Sequence, residues 1–365
     1  MKTDKPKVLY ISGSWPPVKC GVGDYLYKLT QNISSDWSLI TSSVANGGGN
    51  VFNIVSNWKF GDWNTIKSKI IDINPDIIHY EYPSTQFGRK PFPNYLPRYI
   101  KKYFPQIPLF ATIHEYHDAS RLGKKRIEFT LKPFTKVFVS NAEDQKVLQI
   151  KYPQKQFELV RVGSNIDIAK LGLLKKRRIS KELNPGRKNL VVYFGYIDPS
   201  KGVANMIDSM SEWKQNSRLI LATEHNPDNP YHAEINKMIV DSKQDIHWAG
   251  YLSNQRVSAA LQLADLVVLP FDQPVSMRRG SLIAALQHGC SVVTTGPSME
   301  VLVNEENCLL LSNNSKECIA EAVNRLLEQP KLAKLIGLNA KKTSQQFNWK
   351  EIADRHDSEY QRILQ

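Results

Sequence analysis

Residues 269–295 read LPFDQPVSMRRGSLIAALQHGCSVVTT, and their order is strand, basic loop, helix, strand. Val267-Val268-Leu269-Pro270 closes an apolar run of strand length, and Ser291-Val292-Val293-Thr294-Thr295 is a second β-rich run. Between them Leu282, Ile283, Ala285 and Leu286 share one face of a helix over residues 281–288, and Gly289 is a natural stop. The helix therefore starts at or near Arg279-Gly280-Ser281. Such a start offers unpaired N–H groups, the positive end of the helix dipole, a glycine that permits close approach, and Arg278 and Arg279 beside it. That combination suits a phosphate or diphosphate. A plain βαβ connection with a basic first turn uses the same residues, so the rest of the chain has to decide.

At 365 residues the chain is long enough for two domains. With 41% hydrophobic and 23% charged residues it is globular in composition. No apolar run approaches the roughly 20 residues that span a bilayer. The VLYI core of the N-terminal MKTDKPKVLYISGSW is too short for a signal peptide, and the four cysteines (Cys20, Cys290, Cys308, Cys318) lack metal-ligand spacing or disulfide density. The expectation is a cytoplasmic protein in a reducing compartment. A net charge of +13 attracts nucleic acid, anionic lipid or anionic substrates. Basic residues concentrate in residues 89–102 (RKPFPNYLPRYIKK), 121–136 (RLGKKRIEFTLKPFTK) and 175–188. The first two interleave cations with Phe, Tyr and Leu, as a segment resting at a lipid headgroup layer does. A solvated basic face with its aromatics turned into the core has the same pattern. No nucleic-acid-binding module accompanies the charge, so no nucleic-acid partner is expected.

Taken in order, residues 7–12 (KVLYIS) form a first strand that runs into GSWPPVKCGVGDYLYKLTQNI. Pro16-Pro17 excludes regular structure, Gly21 and Gly23 permit unusual backbone angles, and Asp24 is placed to cap a helix carrying Tyr25, Leu26 and Leu29. Short strands at 38–41 and 51–55 and a helix at 63–73 lead to a buried strand ending in His79-Tyr80-Glu81-Tyr82. The strand at 108–113 delivers His114 and Glu115 to its carboxyl end, where ligands of such sheets bind. His114 there either donates a hydrogen bond to a substrate or leaving group, or only caps the strand. A strand at 136–140, a helix from about Asn141 and a strand at 157–162 complete the first half. Residues 170–188, basic and containing Pro185-Gly186, read as a linker. The pattern then restarts: strand 189–194, loop 195–202, helix 203–213, strand 218–223, a helix to about Asp241, strand 246–249, helix 254–263 and the opening stretch. Two successive blocks of alternating strands and helices predict two doubly wound α/β domains.

In this order the pieces resemble the GT-B glycosyltransferases of the large retaining family four, the glycosyl transferases group 1. Trp15-Pro16-Pro17 with Cys20-Gly21-Val22-Gly23-Asp24-Tyr25 resembles the family's glycine-rich first loop, and Asp76-Ile77-Ile78-His79 and Thr112-Ile113-His114-Glu115 its two histidine-bearing strand ends. Residues 195–202 resemble its G-R-x-x-x-x-K-G loop, residues 250–265 its path to the A-D strand, and residues 285–294 its helix-glycine-strand.

The resemblance implies two Rossmann-like domains facing across a cleft. An acceptor-side domain would cover residues 1–170 and a nucleotide-sugar donor domain residues 171–345, with a helix at 346–365 returning to the first. It implies a donor diphosphate held by Lys201, by the Gly280-Ser281 helix start and by Gly21 and Gly23. The nucleoside would lie near Glu224 and Tyr251, His114 near the transferred sugar, and Glu300 against donor or sugar hydroxyls.

Two departures stand out. Tyr196 occupies the place of a diphosphate-binding arginine, and Ser276 and Ala284 fall where the family has two glutamates spaced E-x7-E. Arg278 and Arg279 are expected to compensate by gripping the diphosphate. The expected function is metal-independent transfer of a sugar, with retention, from a nucleotide-sugar donor to a glycan or lipid-linked acceptor in polysaccharide synthesis. No cofactor is expected beyond that donor, and the enzyme is expected to be cytoplasmic and peripheral at the membrane. A nucleotide-sugar epimerase of the same fold and a non-catalytic binding scaffold are the alternatives.

Overall fold

The computed structural model describes residues 5–18, 20–117, 119–297 and 301–365. They divide into two compact units, the first Met1–Gly163 with Asn348–Gln365 and the second Ser164–Phe347. The expected α/β class with two Rossmann-like domains is what the chain adopts.

In the first unit the strands are β1 (Lys7–Ser12), β2 (Asp36–Ser42), β3 (Val51–Val55), β4 (Ile77–Tyr82), β5 (Leu109–Ile113), β6 (Lys136–Val139) and β7 (Gln156–Leu159). The helices between them are α1 (Gly21–Thr30), α2 (Trp63–Ile73), α3 (Phe92–Tyr103), α4 (Arg121–Leu131) and α5 (Ala142–Lys151). The sheet order is β3-β2-β1-β4-β5-β6-β7, all parallel. A parallel sheet needs a crossover between successive strands and covers both of its faces, which is why strands such as β5 (LFATI) read as largely apolar runs. The chain winds outward from β1 to β3 and then returns to place β4 on the other side of β1, so the β1–β4 gap is the topological switch point.

The second unit opens with α6 (Leu173–Leu183) and continues through β8 (Asn189–Phe194), α7 (Val203–Ser209), β9 (Ser217–Ala222), α8 (Pro230–Ser242), β10 (Ile246–Trp248) and α9 (Asn254–Leu263). It is completed by β11 (Leu266–Leu269), α10 (Gly280–Gln287), β12 (Val292–Thr295), β13 (Leu309–Leu311), α11 (Lys316–Glu328) and α12 (Pro330–Thr343). Its parallel sheet runs β10-β9-β8-β11-β12-β13, with the switch point between β8 and β11. Val191, Val192, Val267, Val268, Val292 and Val293 form its fully buried centre.

The terminal helix α13 (Trp349–Leu364), capped by Asn348, belongs to the first unit. Its Trp349 ring occupies the space a side chain at position 163 would need, so Gly163 is required by close approach. Asp357 accepts hydrogen bonds from the Ser34 and Ser35 amides at 2.7 and 3.1 Å.

Several expectations are corrected. Residues 170–188 are not a plain linker: Ile179 and Leu183, one helical turn apart, bury themselves on Ala259 and Ala260 and fold the basic segment into α6. Asp24 does not cap α1. The helix starts three residues earlier, with Cys20 at the N-cap and the Asp24 amide already bonded to the Cys20 carbonyl at 2.9 Å. Gly21 and Gly23 take helical angles rather than positive φ. What Gly23 supplies is proximity, because a Cβ there would lie 3.1 Å from the Ser14 backbone. The helix expected over 203–213 ends as α7 at Ser209 and tightens into a 3-10 turn over Met210–Glu212. In the basic segment at 89–102, Phe92, Leu96 and Ile100 turn into the core while Tyr95, and Tyr103 just beyond the segment, stay exposed.

Candidate functional site

In the second unit, the two loops leaving the switch point are locked together by backbone. β8 ends at Phe194, and Gly195, at a positive φ of 141°, turns the chain past α10, where a Cβ would meet Ser281 at an ordinary contact distance of 3.5 Å. Asp198 caps the following turn, accepting from the Ser200 amide at 2.9 Å. Burial pushes the Asp198 carboxyl up, but its hydrogen bond from Ser200 and the Lys201 ammonium outweigh that and hold it below the usual carboxylate range. Gly202 sits at φ 66°, where a Cβ would run into the carbonyl oxygen of Pro270 just after β11. Only glycine satisfies both demands. Gly202→Ala is expected to cost about 2 kcal/mol or more, read as a lower urea midpoint, since the left-handed angle alone costs about 1–2 kcal/mol. Asp272 and Asn314 close the assembly: the Asp272 amide donates to the Ser200 carbonyl at 3.1 Å, and Asn314 Nδ2 to the Asp272 carboxylate at 2.6 Å.

These loops gather cations on one ring. Phe271 is buried, the Arg279 guanidinium lies 5.0 Å from its centroid and the Lys201 ammonium 5.9 Å. Lys201 is held 3.3 Å from Asp198, with its side chain only 15% exposed. Arg279 is the N-cap residue of α10 and makes no side-chain cap, so the first turn at Gly280 and Ser281 keeps its amide end for a ligand. The structure thus assembles Lys201, Arg279, Gly280 and Ser281 at the switch point, with Arg278 half-buried beside them.

Tyr196 points outward, and its carbonyl accepts from the Tyr193 hydroxyl at 2.6 Å. Glu224 and Tyr251 are exposed after β9 and β10, the strands farther from the switch point. Of the two positions where acids are absent, Ser276 is half-buried and accepts from the Arg279 amide at 3.1 Å, while Ala284 is fully buried inside α10. Glu300 lies outside the described residues.

Sequence reasoning missed His232. Its Nδ1 accepts from the Asn226 amide at 3.0 Å, so the proton sits on Nε2, which donates to the Ile197 carbonyl at 3.2 Å. That bond ties the loop after β9 to the loop carrying Lys201. Beside it the His225 ring meets Trp248 edge-on at 4.5 Å. Asn229-Pro230 announces the start of α8 and so places His232 in its first turn, but nothing local announces the bond to Ile197.

The first unit holds a second polar centre near its own switch point. Register puts Ser12, Glu81 and Thr112 side by side on β1, β4 and β5. His114, just beyond β5 and 10% exposed, bonds through Nε2 to a Glu81 oxygen at 2.6 Å, and Glu81 is fully buried. The His114 ring lies edge-on to Tyr25 of α1 at 4.8 Å. Behind the pair runs a chain of polar groups. Tyr10 and Tyr360 share a hydrogen bond of 3.1 Å, Tyr360 bonds His79 Nδ1, His79 Nε2 reaches Thr112 Oγ1 at 2.8 Å, and Thr112 donates to Glu81 at 3.4 Å. Burial holds His79 well below the usual imidazole range and His356 down at about 4, so both are neutral near pH 7. Glu81 is the residue the sequence did not single out. His79 and Glu81 sit two apart in IIHYEY and therefore share one face of β4, which is the signal that pairs them.

Among the described residues no group of three or more His, Cys, Asp or Glu side chains could hold a metal ion. No described helix is long and apolar enough to cross a membrane.

Residues 188–329 match the family model described as Glycosyl transferases group 1. An uncharacterized glycosyltransferase of Methanocaldococcus jannaschii, MJ1178, is 26% identical over 181 residues, covering 47% of this chain and 48% of that protein. The match thus spans about half the length of that curated relative. Among solved structures, a glycosyltransferase from Rickettsia africae superposes with a TM-score of 0.78 at 16% identity, covering 99% of each chain. Alr3699/HepE from Anabaena, solved in complex with UDP and glucose, does so with a TM-score of 0.73 at 16% identity, covering 97% of this chain and 98% of that one. At such identities these two structures speak for the fold.

Proposed function

We propose, from the match of residues 188–329 to the glycosyl transferases group 1 model, that the chain moves a sugar from a nucleotide-sugar donor to a glycan or lipid-linked acceptor. The observation that carries this reading is the pair of cations, Lys201 and Arg279, gathered on Phe271 beside the uncapped start of α10. A departing nucleoside diphosphate collects negative charge as the glycosyl centre becomes oxocarbenium-like. Fixed cations and a helix N-terminus stabilise that charge more in the transition state than in the ground state. Two cations and a helix start supply what a metal ion would otherwise provide, and we assign a metal-independent reaction with no further cofactor. Retention of configuration follows the family resemblance. HepE, which shares the fold, was solved with UDP and glucose, and this supports a donor of that class. In the first unit we assign sugar chemistry to His114, oriented by Glu81. Polysaccharide synthesis at the inner face of a membrane is the setting we infer for it.

The test is nucleotide release from a panel of UDP-, GDP- and ADP-sugars, with and without lipid-linked acceptors. Release that requires acceptor is the expected result. Interconversion of the sugar without release would make the chain an epimerase, and binding with neither outcome would make it a scaffold.

A further inference from the structure

We propose that α6 is a docking element for an anionic lipid surface. This deepens the membrane-peripheral part of the function proposed above, and it stands whether or not sugar is transferred. Burial of Ile179 and Leu183 against Ala259 and Ala260 fixes which face of α6 looks inward. At 100° per residue the opposite face carries Leu173, Leu174, Arg177, Arg178 and Lys181, and all five are exposed. Leu173 and Leu174 are 78% and 82% exposed, side by side at the helix start. Behind them Lys175, Lys176, Arg177, Arg178 and Lys181 face a single acid of the same helix, Glu182, which is already paired with Arg256. Among the described residues no carboxylate pairs with Arg177, Arg178 or Lys181, and Lys175 is met only by the neutral Gln255.

Exposed leucines followed at once by unpaired cations match the two layers of a lipid interface. The leucines enter the boundary of headgroup and acyl chain while the cations meet phosphate. A nucleic acid would use the cations but has no use for the leucines, and it stacks its bases on aromatics, which α6 lacks. The surface differs from the two segments singled out by their sequence. Of these, the segment folded into α3 turns Phe92, Leu96 and Ile100 inward, whereas α4 leaves Leu122 74% exposed beside Arg121 and Lys125. α4 is therefore the natural control.

The experiment is flotation of the full chain with vesicles of phosphatidylglycerol and phosphatidylcholine. The chain is expected to float at low salt, to stay behind with phosphatidylcholine alone, and to be released at roughly 0.5 M salt, where screening is nearly complete. Leu173→Ser with Leu174→Ser, and separately Arg177→Glu with Arg178→Glu, are each expected to lower the bound fraction at least about tenfold. Leu122→Ser with Lys125→Glu leaves it unchanged. Unchanged melting temperature and unchanged turnover of a water-soluble acceptor analogue in both α6 variants separate lost docking from lost fold or lost catalysis. Equal flotation of wild type and both α6 variants would overturn the proposal, as would binding to phosphatidylcholine alone or loss only in the α4 variant. Loss on arginine reversal but not on leucine replacement would do so too, since it marks plain polyanion attraction.

Discussion

Alanine in place of Lys201 or Arg279 is expected to weaken nucleoside-diphosphate binding roughly 10- to 100-fold each, the value of losing one charge-assisted hydrogen bond to a phosphate. Two features of the structure set these cations apart on a chain of net charge +13. Lys201 is held by Asp198 at 3.3 Å and Arg279 lies over Phe271 at 5.0 Å, so neither pays much entropy when the anion arrives. If both serve one diphosphate, as proposed, the double variant is expected to lose less than the product of the single losses. Glu300→Ala is expected to change the affinity little. Calorimetric titration with UDP, GDP and ADP reads all of these, and equal losses at Lys201, Arg279 and Glu300 would count against the assignment.

The missing acids sharpen this expectation. A glutamate at position 284 would accept hydrogen bonds from a ribose, by the family resemblance, but the fully buried Ala284 offers only a methyl group. Ser276 contributes its carbonyl to the Arg279 amide and thereby helps shape the turn that presents the guanidinium.

The sheets were legible because parallel strands buried on both faces leave apolar runs that need no tertiary information. β1 and β3 and the helices α2 and α9 have the spans their sequences predict. α6 was not legible, because its basic composition reads as solvated chain and only Ile179 and Leu183 betray a buried edge. β13, α11 and α12 were not anticipated either: LLL at 309–311 is too short to separate strand from helix by period. The cationic half of the site could be read from Arg279-Gly280-Ser281 and Lys201, since helix starts and glycine turns are local. Glu81 could not. Its place is set by register with β5, and the neighbouring His79 is met by Tyr360 and His356 of α13, which are nearly three hundred residues away.

Glu81 therefore carries the second large expectation. Glu81→Gln keeps the shape of the side chain but replaces the carboxyl group by an amide, and it is expected to lower kcat for sugar transfer roughly 100-fold while donor KM stays within about twofold, because the donor diphosphate is assigned to other residues. His114 Nε2 is engaged by the carboxylate at 2.6 Å, and His79, the other imidazole near Glu81, is kept neutral by burial. The pair Glu81–His114 is thus a single hydrogen-bonded unit. In such units the losses do not add: Glu81→Gln with His114→Ala is expected to be no worse than His114→Ala alone. Glu81→Ala is a different change, since it leaves a cavity and a deserted imidazole in a buried site, and a loss of about 3 kcal/mol in stability is expected from breaking a buried pair on one side. Urea denaturation separates the two variants: Glu81→Gln should keep a midpoint near wild type while losing turnover. Additive losses in the double variant would reduce Glu81 to a packing role and overturn the assignment of Glu81 as the group that orients His114.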